Sequence, residues 1–268
     1  MLKLTISNQR GGIGKTTTAM TVSRILADRG MKVLLVDSDP QGSIRLSLDI
    51  EGEERGYFHH IICDQVSPES VATPVCKNLD IIFSNKMTQR AEGILLQAPA
   101  REMTYKVLFA PAEKLYDVLI FDMAPSISHI QRCSISYTRN VLIPVGMDDL
   151  SVEGARAALG SVEWLNETFD NLNCRCVGFL PTMVNKRFAV TSRVLTGLEQ
   201  YSAAKNIPIL SHIRTDQSVA KCSGSFLQDF DPGSKALEDY KKATDQLLEE
   251  LTKASAHGQQ QAEVTATV

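Results

Sequence analysis

A glycine-rich turn lies between a short apolar strand and a helix at the start of the chain, and it leaves few folds open to the residues that follow. The sequence predicts a strand at Leu2–Ser7, a turn at Gly11–Gly14 and a helix at Lys15–Arg29 that Gly30 ends. Glycines let consecutive backbone N–H groups curl around an anion, and the new helix directs its positive end at the same place. Strand, turn and helix together predict a phosphate-binding loop.

The residue types of this phosphate loop, Gly11–Thr17 (Gly-Gly-Ile-Gly-Lys-Thr-Thr), favour a nucleoside triphosphate as the ligand. Lys15 can reach the β- and γ-phosphates, and the hydroxyl of Thr16 is placed to bind Mg²⁺. The usual spacing of the motif requires glycine at position 9, where this chain has Gln9. We therefore interpret the loop as a variant of the usual one.

Short, almost continuous apolar runs recur along the chain with helical segments between them. Such runs are typical of parallel strands that are buried on both faces, and their alternation with helices predicts a doubly wound, mostly parallel sheet with helices on both sides. The fold class expected is α/β, in one domain at residues 1–253, followed by a disordered polar tail at residues 254–268. The predicted later strands are Lys32–Val36, Asp80–Phe83, Val118–Phe121, Val141–Val145 and Val177–Pro181, and the clearest later helices are Ser151–Phe169 and Lys235–Leu251.

Acidic residues follow two of these predicted strands. Asp37 and Asp39 come after Val33–Val36, and Asp122 comes after Val118–Phe121. The carboxyl ends of parallel strands meet at one edge of the sheet, beside the phosphate loop, where a carboxylate can hold Mg²⁺ or orient an attacking water. An aspartate after a strand is also a common turn former, so each of these residues has a structural alternative.

Composition excludes several other classes of protein. The chain is 43% hydrophobic and 22% charged, which is ordinary for a globular protein, and no apolar run is long enough to cross a bilayer. Its 6 cysteines do not form a disulfide framework, which places the chain in a reducing cytosol and makes the cysteines structural. The pair Cys174 and Cys176 is too closely spaced for half of a zinc site.

The net charge of −3 argues against a uniformly basic protein, but the charge is uneven. Residues 183–224 contain a local excess of four positive charges. A solvated surface is the ordinary explanation of such an excess, and a site for nucleic-acid phosphates is the other. The candidates for phosphate contacts are Arg193, Lys221, Lys186, Arg187 and Arg214.

Several segments resemble motifs of the ParA/MinD ATPases. Asn8–Thr18 is similar to the deviant Walker A box of that family, Val33–Gly42 to its second acidic motif, and Tyr116–Ser126 to its Walker B segment. Pro144–Gly154 resembles the family's D-x-x-S-x-x-G pattern, and Phe230–Tyr240 its F-x-x-x-S-x-x-x-x-D-Y pattern. The resemblance extends over most of the chain.

The resemblance implies a P-loop NTPase fold, ATP and Mg²⁺ as ligands, and a role for each matched residue. Lys15 would bind the β- and γ-phosphates, Thr16 the Mg²⁺ and Thr17 the α-phosphate. Asp39 would position the hydrolytic water near the metal, and Asp122 would hold Mg²⁺ through water. The nucleotide-binding set would be Gly11, Gly12, Ile13, Gly14, Lys15, Thr16, Thr17 and, against the adenine, Asn185.

Position 10 departs from the family pattern. Most members have lysine there, which reaches the phosphates of the partner in an ATP-sandwich dimer, whereas this chain has Arg10. One interpretation is that Arg10 acts as an arginine finger in trans. The other is that Arg10 faces solvent and the chain resembles members that dispense with the lysine, such as some of the carboxysome-positioning McdA proteins.

Family functions differ in their partners. The polar C-terminal segment argues against the membrane-binding helix of MinD-type members. The iron-protein relatives would need paired cysteines, for which Cys133 with Cys76 or Cys63 is a poor match in spacing. We therefore expect a cytoplasmic, nucleoid-associated ParA-type ATPase that binds non-specific double-stranded DNA as a homodimer and moves a cargo with a stimulating adaptor protein. A metabolic P-loop ligase that activates a small acid and an inactive nucleotide-binding scaffold are the alternatives.

Overall fold

The computed structural model describes the backbone of residues 1–50 and 54–265, and the side chains of residues 1–50 and 54–253. The strands are β1 (Leu2–Ile6), β2 (Val33–Asp37), β3 (Thr73–Cys76), β4 (Leu79–Ile82), β5 (Val118–Asp122), β6 (Asn140–Val145) and β7 (Arg175–Pro181). The helices of the first half are α1 (Lys15–Asp28), α2 (Ser43–Leu48), α3 (Phe58–Cys63), α4 (Pro68–Val71), α5 (Thr88–Gln97) and α6 (Thr104–Leu108), with short 3₁₀ turns at Arg101–Met103 and Pro111–Lys114. Those of the second half are α7 (His129–Thr138), α8 (Asp149–Thr168), α9 (Ala189–Lys205), α10 (Gln217–Lys221), α11 (Leu227–Phe230) and α12 (Lys235–Thr265).

The strands form one sheet in the order β3-β4-β2-β5-β1-β6-β7, in which every pairing is parallel except that of β3 with β4. β2, β5 and most of β6 are buried on both faces, which explains their unbroken apolar sequences. Helices α1 and α12 pack on one face of the sheet, and α3, α5 and α7 on the other. The predicted doubly wound α/β fold is confirmed.

The strand register brings the acidic strand ends together. Asp37 at the end of β2 is the pairing partner of Asp122 at the end of β5, and Ile6 at the end of β1 pairs with Asp122 as well. The phosphate loop leaves β1 at this same edge. The phosphate loop and the acidic ends of β2 and β5 therefore meet, because these three parallel strands end in register.

One strand differs from expectation. β3 is a four-residue antiparallel edge strand that the sequence does not predict, and its Pro74 is tolerated because edge strands have unpaired N–H positions. At the C-terminal end, helix α12 extends to Thr265, and the division into a domain at residues 1–253 and a tail at residues 254–268 stays a prediction.

Packing beneath the sheet supplies a test of the core. Phe109 is fully buried, with its ring 5.1 Å from that of Phe121, whereas the side chain of Val107, two residues earlier, is 75% exposed. We expect Phe109→Ala to lower the free energy of unfolding by about 3–5 kcal/mol, because the cavity adds to the lost burial. Val107→Ala should change it by no more than about 0.5 kcal/mol. Urea unfolding followed by circular dichroism measures both, and equal losses would contradict this placement of the core.

Candidate functional site

The phosphate loop is shaped to accept an anion. Gly12 and Gly14 have φ angles of 73° and 86°, in the left-handed region that favours glycine, and no other atoms lie within 4 Å of where a Cβ would stand on either. Helix α1 begins at Lys15 without a side-chain cap and without an acidic residue in its first turn. Its first N–H groups are therefore available to a phosphate, as the sequence predicted.

Contacts from distant elements fix the loop in place. The hydroxyl of Thr182, just after β7, donates to the carbonyl of Ile13 at 2.8 Å. Ile13 is buried, and a Cβ on Gly146 would lie 3.0 Å from its side chain. The loop is thus held from the β6 and β7 side of the sheet, and its backbone keeps its shape.

Lys15 lies within this loop as a buried cation, only 7% exposed. Its ammonium donates to the carbonyl oxygen of Arg10 at 2.7 Å. Burial lowers the pKa of Lys15, and the negative charges of Asp122 and Asp39 oppose that shift. An ammonium has three donors, so Lys15 retains N–H groups for phosphate oxygens.

Asp122 is the most unusual group at the site. It is fully buried, and neither carboxylate oxygen has a hydrogen-bond partner of ordinary geometry. Burial raises its pKa to about 7, although the neighbouring Thr16 hydroxyl and Lys15 pull the pKa down. A buried carboxylate without partners is costly, and a cation or its bound water satisfies it.

Asp39 and Asp37 form the adjacent acidic segment. The Asp39 side chain is 9% exposed, and its Oδ1 accepts from the N–H of Gln41 at 2.9 Å. Fully buried Asp37 accepts from the N–H groups of Asp39 at 2.9 Å and Ile44 at 3.1 Å, and burial together with Asp122 raises its pKa well above the usual value. Asp37 thus fixes the loop that presents Asp39. The sequence placed Asp37 among the carboxylates that can hold Mg²⁺ or orient water, with turn formation as the alternative. Its two bonds from backbone N–H groups are those of a turn former.

These groups fit Mg²⁺ together with a triphosphate. Thr16, Asp122 and Asp39 supply only oxygen donors, which Mg²⁺ prefers, and the orphaned oxygens of Asp122 are the observation that tests the fit. Across the residues the structure describes, there is no cluster of three or more His, Cys, Asp or Glu side chains that could hold a metal ion. The donor set therefore suits a Mg²⁺ that takes its remaining ligands from phosphate and water.

The remaining predicted ligands lie at the same edge of the sheet. Arg10 is about half exposed, and its Nε lies 3.9 Å from the Oδ1 of Asp148, the N-cap of α8. Asn185 follows β7, is half-buried, and accepts from the N–H of Arg187 at 3.1 Å. The amide nitrogen of Asn185 makes no bond within the described residues.

The basic residues of segment 183–224 are less free than their count suggests. Arg193 pairs with Asp149 at 2.7 Å, and Lys205 with Glu163 at 2.7 Å. The guanidinium of Arg214 forms two bonds to the buried Asp239, at 2.6 and 2.7 Å, which argues against Arg214 as a phosphate contact because breaking this fork would leave a buried carboxylate alone. Lys186, Arg187 and Lys221 are exposed and form no ion pair among the described residues.

All six cysteines are free thiols in the described part of the chain. Cys133 is fully buried, and burial raises its pKa beyond the ordinary range, while Cys63 and Cys76 have raised pKa values for the same reason. A metal cluster needs thiolates, and burial disfavours them here. The structural role predicted for these cysteines agrees with this.

A cavity of about 1010 Å³ opens at the opposite edge of the sheet, among Lys3, Glu113, Tyr137 and Arg175. Glu113 accepts there from Lys3 at 2.9 Å and from the Tyr137 hydroxyl at 3.0 Å, so these three groups are already satisfied. The chemistry of the molecule is concentrated at the phosphate loop instead. Among the described residues, no helix has the length and apolarity needed to cross a membrane.

Comparison with known proteins agrees with the geometry. A family model described as an AAA domain, AAA_31, matches residues 1–174. The sporulation initiation inhibitor protein Soj of Bacillus subtilis is 28% identical over 239 residues, which is 88% of this chain and 94% of Soj.

Two solved structures share the fold. Apo McdA of Cyanothece superposes with a TM-score of 0.81 at 22% identity, over 94% of this chain and 99% of that one. Cobyrinic acid a,c-diamide synthase of Mycobacterium smegmatis, solved with ADP and magnesium, gives 0.79 at 24% identity, over 95% of this chain and 97% of that one. The chain belongs to the AAA domain family AAA_31 and is a ParA/MinD-type P-loop ATPase.

Proposed function

We propose that this ATPase is a ParA-type positioning enzyme: ATP joins two copies face to face, the dimer binds duplex DNA without sequence preference, and an adaptor protein on a cargo stimulates hydrolysis. The observation that carries this proposal is the half-exposed guanidinium of Arg10 beside the phosphate loop, whose ionic contact within the described residues is to Asp148 at 3.9 Å. A cation so weakly held at the mouth of a triphosphate site is free to reach the phosphates of a second copy.

The residues of one protomer divide the chemistry among them. Lys15 and the N–H groups at the start of α1 bind the β- and γ-phosphates, Thr17 the α-phosphate, and Asn185 the adenine. Thr16 and Asp122 hold Mg²⁺, which supplies charge neutralisation at the phosphates when bound. Asp39 orients the attacking water, and its own position is fixed by Asp37 through the N–H of Asp39.

Arg10 of each protomer acts in trans in this scheme. A guanidinium is planar and always charged, so it can neutralise two phosphate oxygens at once where a lysine offers a point charge. The alternative is that Arg10 remains on Asp148 and faces solvent, as in a McdA-like positioning ATPase of the same overall mechanism. The trans role and the solvent-facing role of Arg10 differ in whether dimerisation depends on this residue.

DNA binding follows from the free cations of segment 183–224. Lys186 and Arg187 lie after β7, and a β-bridge between Val184 and Arg214 holds that turn at the same edge of the sheet as the phosphate loop. Lys221 adds a third charge that has no ion pair in the described part of the chain, while Arg193 must break its pair with Asp149 to contribute. We place the active protein on the nucleoid in the cytoplasm, with a plasmid, a chromosome or a protein compartment as the cargo.

A metabolic ligase is the second candidate, because the synthase from Mycobacterium smegmatis has the same fold. A ligase would turn over faster with a small carboxylic acid and would be indifferent to DNA. The positioning enzyme should respond to duplex DNA and to its adaptor instead. Turnover measured with each addition in turn separates the two.

Removing the charge of Asp39 should separate binding from hydrolysis. Asp39→Asn keeps an oxygen for the N–H of Gln41 but loses the negative charge that orients water. We expect the turnover number to fall by roughly 10²–10⁴ while ATP affinity changes far less. Phosphate release and a fluorescent-nucleotide titration measure the two quantities, with Asp170→Ala, an exposed carboxylate, as the control. Wild-type turnover in Asp39→Asn would remove Asp39 from the mechanism.

Arg10→Ala tests the trans role. We expect turnover to fall by up to roughly 10³–10⁵ and the ATP-dependent dimer to weaken, because the cation that crosses the interface is lost. Sedimentation velocity with ATP, ADP or no nucleotide measures the dimer. Arg156→Ala, which removes an exposed arginine paired with Glu153, should behave as wild type. If Arg10→Ala keeps both turnover and dimer, Arg10 faces solvent.

Charge reversal tests the DNA surface. The double variant Lys186→Glu, Arg187→Glu should lose most affinity for plain duplex in the presence of ATP, and wild-type binding should fall steeply as salt rises. The control, Lys106→Glu with Lys205→Glu, changes the net charge equally but away from the proposed surface. Gel-shift titrations with ATP, ADP and no nucleotide measure the affinities. Equal losses in both variants, or wild-type binding that does not need ATP, would refute the ATP-switched surface.

A further inference from the structure

The buried side chain of Asn8, between β1 and the phosphate loop, is not used in the chemistry described so far. It is fully buried and makes three hydrogen bonds. Its Oδ1 accepts from the N–H of Arg10 at 2.8 Å, and its Nδ2 donates to the carbonyls of Pro144 at 2.7 Å and Ser151 at 3.1 Å. The side-chain amide of Asn8 therefore donates to β6 and to the first turn of α8, and its oxygen accepts from the backbone of Arg10.

Helix α8 closes this arrangement from the other side. A Cβ on Gly154 would overlap the Oδ1 of Asn8 and would lie 2.9 Å from the backbone nitrogen of Arg10. The carbonyl of Gly154 also accepts, at 3.4 Å, from the N–H of Gln9. The helix therefore packs against residues 8–10 with no space for a side chain at position 154.

Arg10 is consequently held at both ends of its backbone. Asn8 holds its N–H, and Lys15 donates to its carbonyl at 2.7 Å. The guanidinium is freer than the backbone, since its ionic contact among the described residues is to half-exposed Asp148 at 3.9 Å. A displacement of Asn8 would move the root of the Arg10 side chain.

We propose that Asn8 is a positioning residue that fixes Arg10 to β6 and α8, so that the guanidinium starts from one defined place when a second copy approaches. The proposal rests on the trans role of Arg10 given above. It adds that helix α8 sets the orientation of the Arg10 side chain through a single buried amide. A misplacement of about 1 Å can lower the reaction rate on the order of 10²-fold. Asn8 touches no substrate and acts through Arg10.

A double-mutant cycle tests this role. We expect Asn8→Ala to lower turnover and weaken the ATP-dependent dimer in the same direction as Arg10→Ala. In the background of Arg10→Ala, the further change Asn8→Ala should cost no more than about 2-fold in either quantity, because the group it positions is already gone. Phosphate release and sedimentation velocity with ATP measure the two readouts.

The matched control is Asn166→Ala in α8, the helix to which Asn8 bonds. The side chain of Asn166 also donates to a carbonyl and accepts from an N–H, both of Cys174, at 2.7 and 2.8 Å, but far from the phosphate loop. It should change thermal stability without changing turnover. If Asn8→Ala does not fold, the cycle is run with Asn8→Ser, whose hydroxyl can still accept from the N–H two residues on and should retain part of the activity.

The outcomes separate the two proposals. Wild-type turnover and dimerisation in the Asn8 variant, or losses that multiply fully with those of Arg10→Ala, would overturn the positioning role of Asn8. Wild-type behaviour of Arg10→Ala alone would instead overturn the trans role on which it rests. A loss in each single variant with no further loss in the double variant supports both.

Discussion

The in-register ends of β1, β2 and β5 are the constraint on which the site depends. Parallel pairing of Asp37 with Asp122 brings two carboxylates together at the point where the phosphate loop leaves β1. Burial raises the pKa of both groups, and the buried ammonium of Lys15 is the cation that the fold itself places beside Asp122. Burying these charges together lowers the stability of the folded chain unless a triphosphate and Mg²⁺ neutralise them. The rest of the sheet supports that cluster by fixing the strands in register.

Local sequence signals predicted most of this framework. Each of these signals can be recognised from a few neighbouring residues: the glycines of the phosphate loop, the apolar runs, and the aspartates after β2 and β5. The observed strands begin and end close to the predicted bounds. The antiparallel β3 was missed because a four-residue edge strand with a proline shows no periodic pattern.

Contacts between distant residues could not be predicted in this way. Nothing near Asn8 in the sequence shows that its amide bonds to Pro144 and Ser151, or that a side chain at position 154 would overlap it. The bond from the N–H of Ile44 to Asp37 was likewise hidden, since it depends on how α2 begins. These residues support the groups proposed to bind the ligand, and their positions follow from packing and not from motif spacing.

The charge count of segment 183–224 also overlooks contacts with distant residues. Three of its six cations pair with acids outside the segment, Asp149, Glu163 and Asp239, so the local excess of four falls to one. In the proposed function, one protomer would offer few phosphate contacts, and each contact would add a salt-sensitive increment to affinity. Two copies joined by ATP would double the number of contacts on one duplex, and the second set would bind at the high effective concentration that the first creates. The weakness of the single surface would then make DNA binding depend on the nucleotide, because a strongly basic protomer would bind duplex whether or not it had a partner.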